Sequence, residues 1–221
     1  MSTKPAVDFT TQIVHADRWG GAEKGAIHQA IHSSVQYGYN QVEDLIAVFQ
    51  GTAKGGYNYA RQGTPTTAAL EAKITQMEGG TGSIVFSTGM AALCAMFFTL
   101  LKAGDPVMVE EPGWSVEFAR LDALGMHILP VPRRADGPDL AVMARYCEAH
   151  APKLFVSVSV FHNPTGYCLS PGSAHQVLQL AQQHNFHVVE DDTYSHIAPE
   201  HATRLSVLDG LRRTIYVSGF A

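Results

Sequence analysis

The feature that most constrains the fold is a regular alternation of two kinds of segment, which begins near residue 83. Short runs rich in β-branched residues predict strands at 83–87, 106–110, 127–131, 154–160, 187–190 and 214–218. Segments with helical spacing of apolar residues lie between them, at 90–101, 115–124, 139–150 and 173–185. Strands that alternate with helices favour a mostly parallel sheet covered on both faces. The sequence therefore predicts an α/β fold, a three-layer α/β/α large domain.

The first sixty residues lack this alternation. They are polar and interrupted by glycines, and within them only residues 42–49 have the pattern of a helix. A further helical pattern starts at residue 66 and stops at Gly79 and Gly80. We predict an N-terminal arm over residues 1–60 and a large domain over residues 61–221.

Composition excludes several classes of protein. With 46% hydrophobic and 16% charged residues, the chain is too apolar to be disordered. A formal net charge of −5 argues against nucleic-acid binding, because no basic run exceeds the pairs at 133–134 and 212–213. The longest apolar run covers about 12 residues, whereas a membrane span needs roughly 20. Three separated cysteines and no secretory signal favour a cytoplasmic location.

Ligands of parallel sheets bind outside the carboxyl ends of the strands. After the first predicted strand, a turn rich in small residues, 87–92, enters a helix. Its free N–H groups, its two hydroxyls and the helix dipole favour an anion such as a phosphate. An ordinary helix N-cap is the alternative. After the second strand, Trp114 could stack on a planar ligand, although a tryptophan of the core or its rim is also open.

The ends of the fourth and fifth strands are polar. Asn163 precedes a proline that favours extended backbone and could aim its amide at a ligand oxygen, although a plain turn is also open. The acidic run 190–192 ends a strand that is otherwise apolar, and this predicts partner charges or a protonated ligand nitrogen. Tyr194 lies three residues beyond Asp191 and could bond a second ligand atom. The alternative for the acids is a magnesium site.

Four signals at four strand ends together predict a phosphorylated, flat, pyridine-like ligand. The chain resembles enzymes that depend on pyridoxal 5′-phosphate (PLP) and have the aspartate aminotransferase fold, fold type I. That resemblance implies PLP as cofactor and an amino-acid substrate, and it covers nearly the whole chain.

Residues 1–104 resemble the sulfur-amino-acid family that includes cystathionine γ-synthase, methionine γ-lyase and O-acetylhomoserine sulfhydrylase. The matching motifs lie at 11–16, 59–66, 70–71, 78–80 and 87–90. The resemblance implies that Tyr59 and Arg61 reach the cofactor phosphate of a neighbouring subunit. It also implies that Thr88, Gly89 and Met90 bind the phosphate in their own subunit.

From about residue 105 the chain resembles aminotransferases, especially the module fused to GntR-type regulators, and the change of family falls within 101–111. The matching motifs lie at 109–114, 162–166, 190–194 and 215–220. The resemblance implies that Asn163 and Tyr194 bond the phenolic oxygen of the cofactor and that Asp191 pairs with its ring nitrogen. Trp114 has the position of the stacking aromatic, and Ser218 belongs to the same cofactor-binding set.

In the aminotransferase pattern, the Schiff-base lysine directly follows the motif Ser-Gly-Phe-Ser/Ala, and this sequence ends at that motif. We therefore expect an incomplete, truncated large domain without a Schiff-base lysine, and we assign no catalytic residue. The six lysines lie elsewhere in the sequence: Lys4, Lys24, Lys54, Lys73, Lys102 and Lys153.

The expected function is that of a PLP-binding, amino-acid-transforming domain, of aminotransferase type and catalytically impaired. The alternatives are a sulfur-amino-acid enzyme of γ-elimination or γ-replacement, and a non-catalytic ligand-sensing or chimeric fusion module. The parent protein is expected to be a homodimer or homotetramer. Two histidine pairs have metal-ligand spacing without a completing ligand nearby, so no metal site is predicted.

Overall fold

The computed structural model describes residues 8–16, 23–53, 55–198 and 200–219. The chain divides into two compact units between Val85 and Phe86. The predicted division into an N-terminal arm over residues 1–60 and a large cofactor-binding domain over residues 61–221 stays a prediction.

Among its described residues, the first unit contains three α-helices, α1 (Phe9–His15), α2 (Val42–Phe49) and α3 (Pro65–Glu78). The predicted helix at 42–49 is thus confirmed. Helix α3 starts at a capping box in which Thr64 and Thr67 bond each other's backbone N–H groups, at 2.9 and 3.1 Å. It ends at Gly79, whose φ of +64° is the left-handed conformation that glycine adopts without strain.

The second unit is built around one six-stranded sheet in the order β3-β2-β1-β4-β5-β6. Every strand pair is parallel except β2 with β3, which confirms the predicted mostly parallel sheet. The strands are β1 (Pro106–Glu111), β2 (His127–Arg134), β3 (Gly137–Pro138), β4 (Leu154–Ser157), β5 (His187–Asp191) and β6 (Thr214–Val217).

Five helices accompany this sheet, and the predicted helices between the strands are confirmed within a few residues. They are α4 (Gly89–Leu100), α5 (Ser115–Ala123), α6 (Leu140–His150), α7 (Pro171–His184) and α8 (Leu205–Asp209). In the described part of the chain, no helix is long and apolar enough to cross a membrane.

The sheet separates two hydrophobic cores, because successive side chains of a strand point to opposite faces. On one face, residues of α6 and α7 pack against Met108 and Phe155. On the other face, residues of α4 and α5 pack against Val107 and Val109. This arrangement is the three-layer α/β/α architecture that the sequence predicts.

The predicted strand at 83–87 is wrong. A strand exists only where a neighbouring strand accepts its hydrogen bonds, and the described residues provide none beside this segment. Its backbone N–H at Val85 instead donates to Oε1 of Glu71 at 3.2 Å. The strand predicted at 154–160 ends at Ser157, because the N–H of Val158 donates to the Glu110 carboxylate at 3.1 Å rather than to a strand.

We expect Phe155→Ala to lower the free energy of unfolding by about 3–5 kcal/mol, because it opens a cavity in the middle of the sheet. Phe155 is fully buried in β4. The matched control is Phe98→Ala in α4, where the ring is 69% exposed. That change should shift stability by no more than about 0.5 kcal/mol. Urea unfolding of both variants is the measurement, and equal losses would contradict the assigned core.

Candidate functional site

The N-terminus of α4 has two backbone N–H groups that no described residue accepts from. The Thr88 hydroxyl accepts from the N–H of Ala91 at 3.0 Å and thereby caps the helix. Among the described residues, the N–H groups of Gly89 and Met90 have no hydrogen-bond acceptor. A Cβ atom at Gly89 would meet nothing within 4 Å, and both Thr88 and Gly89 are exposed. Two free N–H groups at the positive end of a helix suit a phosphate.

Trp114 lies at the carboxyl end of β1 and directly precedes α5. The chain turns back on itself there. The turn is so tight that a Cβ atom at Gly113 would collide with the carbonyl oxygen of Glu110. Trp114 is half-buried. This tight turn keeps the indole at the edge of the sheet where the strand ends lie.

Asn163 follows β4 in a closed turn. The N–H of His162 donates to the Tyr167 carbonyl at 2.9 Å, and the N–H of Gly166 donates to the His162 carbonyl at 2.6 Å. Gly166 has a φ of +72°, which this turn requires. Asn163 is half-buried at the same edge of the sheet.

The three acids at the end of β5 have different partners. Glu190 is fully buried and accepts from Ser159 Oγ and from the N–H groups of Leu205 and Ser206, at 2.6 and 2.8 Å for the two N–H groups. It therefore caps α8, which explains an acid in an apolar strand. The predicted partner charge of this acidic run belongs to the next buried acid, Asp192.

Asp192 is fully buried, and its Oδ2 accepts from Arg204 Nε at 2.6 Å and from the Tyr216 hydroxyl at 3.1 Å. Its carbonyl oxygen accepts from the Ser218 hydroxyl at 3.3 Å, and its N–H donates to the Val217 carbonyl at 2.9 Å. These bonds tie the ends of β5 and β6 together and place Ser218 at the same edge.

Asp191 is the acid of the three that is not fully buried. Its Oδ1 accepts from the N–H and the hydroxyl of Thr193, at 3.2 and 2.6 Å. Its Oδ2 has no hydrogen-bond partner among the described residues, and the side chain is half-buried. Within the described ranges, no group of three or more His, Cys, Asp or Glu side chains could hold a metal ion.

Tyr194 is 37% exposed and lies beyond the end of β5. Its predicted hydrogen bond to a ligand oxygen stays a prediction. Tyr59 and Arg61 belong to the first unit, where both are exposed and the guanidinium lies 5.0 Å from the centre of the tyrosine ring. Their predicted contact with a neighbouring subunit also stays a prediction.

The two lysines of the sheet unit lie at the opposite edge of the sheet. Lys102 and Lys153 precede β1 and β4, respectively, and the Lys153 N–H donates to the Pro106 carbonyl at 2.9 Å. Lys4 and Lys54 lie outside the described residues, as do Phe220 and Ala221, the last two residues of the motif that precedes the Schiff-base lysine in aminotransferases.

Glu117, in the first turn of α5, was not a candidate from the sequence. Its Oε1 is buried without a hydrogen-bond partner among the described residues. Burial raises the pKa of this carboxyl to about 8, the negative charges of Asp191 and Glu110 add to the rise, and Arg120 opposes it. An acid in the first turn of a helix is ordinarily an exposed partner of the helix dipole, so no sequence signal distinguishes this one.

We expect the contribution of Glu117 to the stability of the protein to fall as the pH rises from about 4.5 to about 8, because Glu117 keeps its proton in the folded state and loses it in the unfolded chain. Glu117→Gln cannot ionise and removes this contribution. Relative to wild type, the variant should gain roughly 2 kcal/mol or more in unfolding free energy between pH 4.5 and pH 8.5. Urea unfolding across this interval is the measurement, with the exposed Glu148→Gln as control. Parallel curves for wild type and Glu117→Gln would contradict the assignment.

Comparison with known proteins gives one family and one fold. The sequence profile of the family described as Cys/Met metabolism PLP-dependent enzyme matches residues 10–199. Cystathionine gamma-synthase of Mycobacterium leprae is 26% identical over 191 residues, which are 85% of this chain and 45% of that protein.

Two solved structures are similar to this chain. A putative O-acetylhomoserine (thiol)-lyase from Campylobacter jejuni superposes with a TM-score of 0.71 at 20% identity, over 85% of this chain and 45% of that one. A multiple substrate aminotransferase from Thermococcus profundus superposes with a TM-score of 0.54 at 26% identity, over 58% of this chain and 34% of that one.

The chain spans less than half the length of the curated relatives it matches. The family profile nevertheless covers most of its residues, and the fold superposes on that of the O-acetylhomoserine (thiol)-lyase structure. The chain therefore belongs to the Cys/Met metabolism family of PLP-dependent enzymes.

Proposed function

We propose that the carboxyl edge of the sheet binds PLP and that the chain is the cofactor-binding part of a sulfur-amino-acid enzyme. The observation that supports this most directly is that the three acids at the end of β5 differ in burial and in hydrogen-bond partners. Glu190 and Asp192 are fully buried, with Glu190 bonded to N–H groups of α8 and Asp192 Oδ2 bonded to Arg204. Asp191 is half-buried, and its Oδ2 has no partner among the described residues. A free carboxylate at this position suits the protonated nitrogen of a pyridine ring.

The residues fit the other parts of the cofactor as well. The phosphate would be held by the free N–H groups of Gly89 and Met90 and by the exposed Thr88 cap. Trp114 would stack on the ring. The Asn163 amide would bond the phenolic oxygen, together with the Tyr194 hydroxyl. Ser218 would add a hydroxyl at the end of β6.

When bound, PLP supplies an electron sink for a carbanion at the α-carbon of an amino acid. The role of Asp191 would be to keep the proton on the ring nitrogen, because a carboxylate beside that nitrogen favours its charged form. The role of α4 would be to fix the phosphate, and thereby the position of the ring, in front of the strand ends.

The proposed substrates are sulfur amino acids and homoserine derivatives. The family profile and the relative that covers 85% of the chain both belong to sulfur-amino-acid metabolism. Transamination, which the sequence motifs beyond residue 105 favour, is the second candidate. It is supported by the similarity to an aminotransferase structure at 26% identity.

We further propose that cofactor binding to this chain is non-covalent and that turnover is impaired. Lys102 and Lys153 lie at the far edge of the sheet from Asp191. We also propose that Tyr59 and Arg61 contact the phosphate of a second copy, in a homodimer or homotetramer of the parent protein. Regarding location, the cytoplasm stays a prediction.

The first test is PLP binding, followed by absorbance and by quenching of tryptophan fluorescence. We expect Asp191→Asn to raise the dissociation constant about 10- to 100-fold, because it removes a charge-assisted hydrogen bond to the ring nitrogen. Asp122→Asn, an exposed acid of α5, is the matched control and should bind as wild type does. Equal affinities of wild type and Asp191→Asn would contradict the assigned role. A pyridoxyl group fixed on one lysine after borohydride reduction would contradict non-covalent binding.

The second test identifies the reaction with L-methionine as substrate of the PLP-loaded protein. Elimination at the γ-carbon consumes water and yields methanethiol, ammonia and 2-oxobutyrate. Transamination leaves the side chain intact and yields 4-methylthio-2-oxobutyrate. We expect slow formation of 2-oxobutyrate, measured by mass spectrometry, and its abolition in Asp191→Ala. The intact keto acid would favour the second candidate, and neither product would contradict an activity of this chain by itself.

A further inference from the structure

The turn that presents Asn163 is attached to the sheet through a buried side chain. His162 is 1% exposed and directly precedes Asn163. Its Nδ1 lies 2.9 Å from the hydroxyl of Thr165, within the same turn. Its Nε2 lies 3.3 Å from Oε2 of Glu110, in the neighbouring strand β1. The imidazole therefore links the turn to the interior of the sheet.

Glu110 is the fixed end of this link. Its Oε1 accepts from Arg133 Nη1 at 2.5 Å and from Ser157 Oγ at 3.2 Å. Its Oε2 accepts from the N–H of Val158 at 3.1 Å. These donors come from β2, from the end of β4 and from the residue after it. A carboxylate bonded from three segments has one position, so it is a rigid anchor for His162.

The protonation of the imidazole suits this geometry. Burial lowers the pKa of His162 to about 4, and the positive charge of Arg133 acts in the same direction. The ring is therefore neutral at pH 7 and has one N–H. Because Glu110 Oε2 is an acceptor, that proton belongs on Nε2, and Nδ1 accepts from the Thr165 hydroxyl. Both ring nitrogens are used, and the ring cannot rotate without losing two hydrogen bonds.

We propose that His162 is a positioning residue, which transmits the fixed position of Glu110 to Asn163 and so aims the Asn163 amide at the phenolic oxygen of PLP. This inference rests on the proposed cofactor site. His162 itself does not touch the cofactor in this arrangement. Its contribution is to hold the backbone of the turn in the one conformation from which Asn163 reaches the ring.

The test compares two ligands of wild type and variants, PLP and 3-deoxypyridoxal 5′-phosphate, which lacks the phenolic oxygen. We expect His162→Leu to weaken PLP binding about tenfold, because a hydrogen bond to a charged oxygen is misplaced. The same variant should weaken binding of the deoxy analogue less than about twofold. Asn163→Ala should show the same pattern. The double variant should bind PLP no more weakly than Asn163→Ala alone, because the two residues act through one contact.

Two milder variants keep the test independent of folding. Thr165→Val removes the hydroxyl partner of Nδ1 and should weaken PLP selectively by about threefold. In His162→Gln, the amide can donate and accept at similar positions, so this variant should recover most of the affinity. Cooperative thermal unfolding of each variant confirms that it is folded.

The outcomes separate this inference from the proposed function. If wild type binds neither ligand, the proposed cofactor site is wrong and the inference fails with it. If wild type binds PLP and His162→Leu weakens both ligands equally, the histidine supports the fold generally and the inference is overturned. Unchanged PLP affinity in both His162→Leu and Thr165→Val would also overturn it.

Discussion

Three carboxylates buried at the ends of parallel strands constrain this structure more than any other feature. An ionised carboxylate inside a protein costs several kcal/mol unless donors surround it. Glu110, Glu190 and Asp192 are each buried, and each recruits donors from other segments. The need to satisfy these groups determines where the loops beyond the strands can run.

As a consequence, loops at the carboxyl ends of the strands are held by hydrogen bonds to buried carboxylates. Glu190 fixes the start of α8 through two N–H groups, and Asp192 joins the ends of β5 and β6. Since loops at a sheet edge are otherwise the mobile part of an α/β fold, these bonds supply the rigidity that a cofactor site requires. The apolar cores on both faces hold the strands, and the carboxylates hold the loops at the strand ends.

The sequence predicted most of the fold because interior strands of a parallel sheet are continuous apolar runs, as in β1 and β5. It failed at residues 83–87, where strand propensity is present and a pairing partner is absent among the described residues. At the site, the sequence placed an acidic run at a strand end and could not say which acid faces a ligand. That choice depends on Ser159, Arg204 and Leu205, which are distant in sequence from the acid or the strand they serve. The burial of Glu117 could not be predicted for the same reason, because it depends on tertiary packing.

The proposed site is compatible with both candidate reactions. In it, a phosphate at a helix N-terminus, a stacked ring and a carboxylate at the ring nitrogen would all serve the carbanion at the α-carbon, which γ-elimination and transamination share. The choice of reaction must then come from groups that transfer protons after the carbanion has formed. In the proposed site, none of Thr88, Trp114 and Asp191 has that role. In the proposed function, the residues at this edge would bind the cofactor, and the choice between the two reactions would lie with groups that act on the substrate side chain.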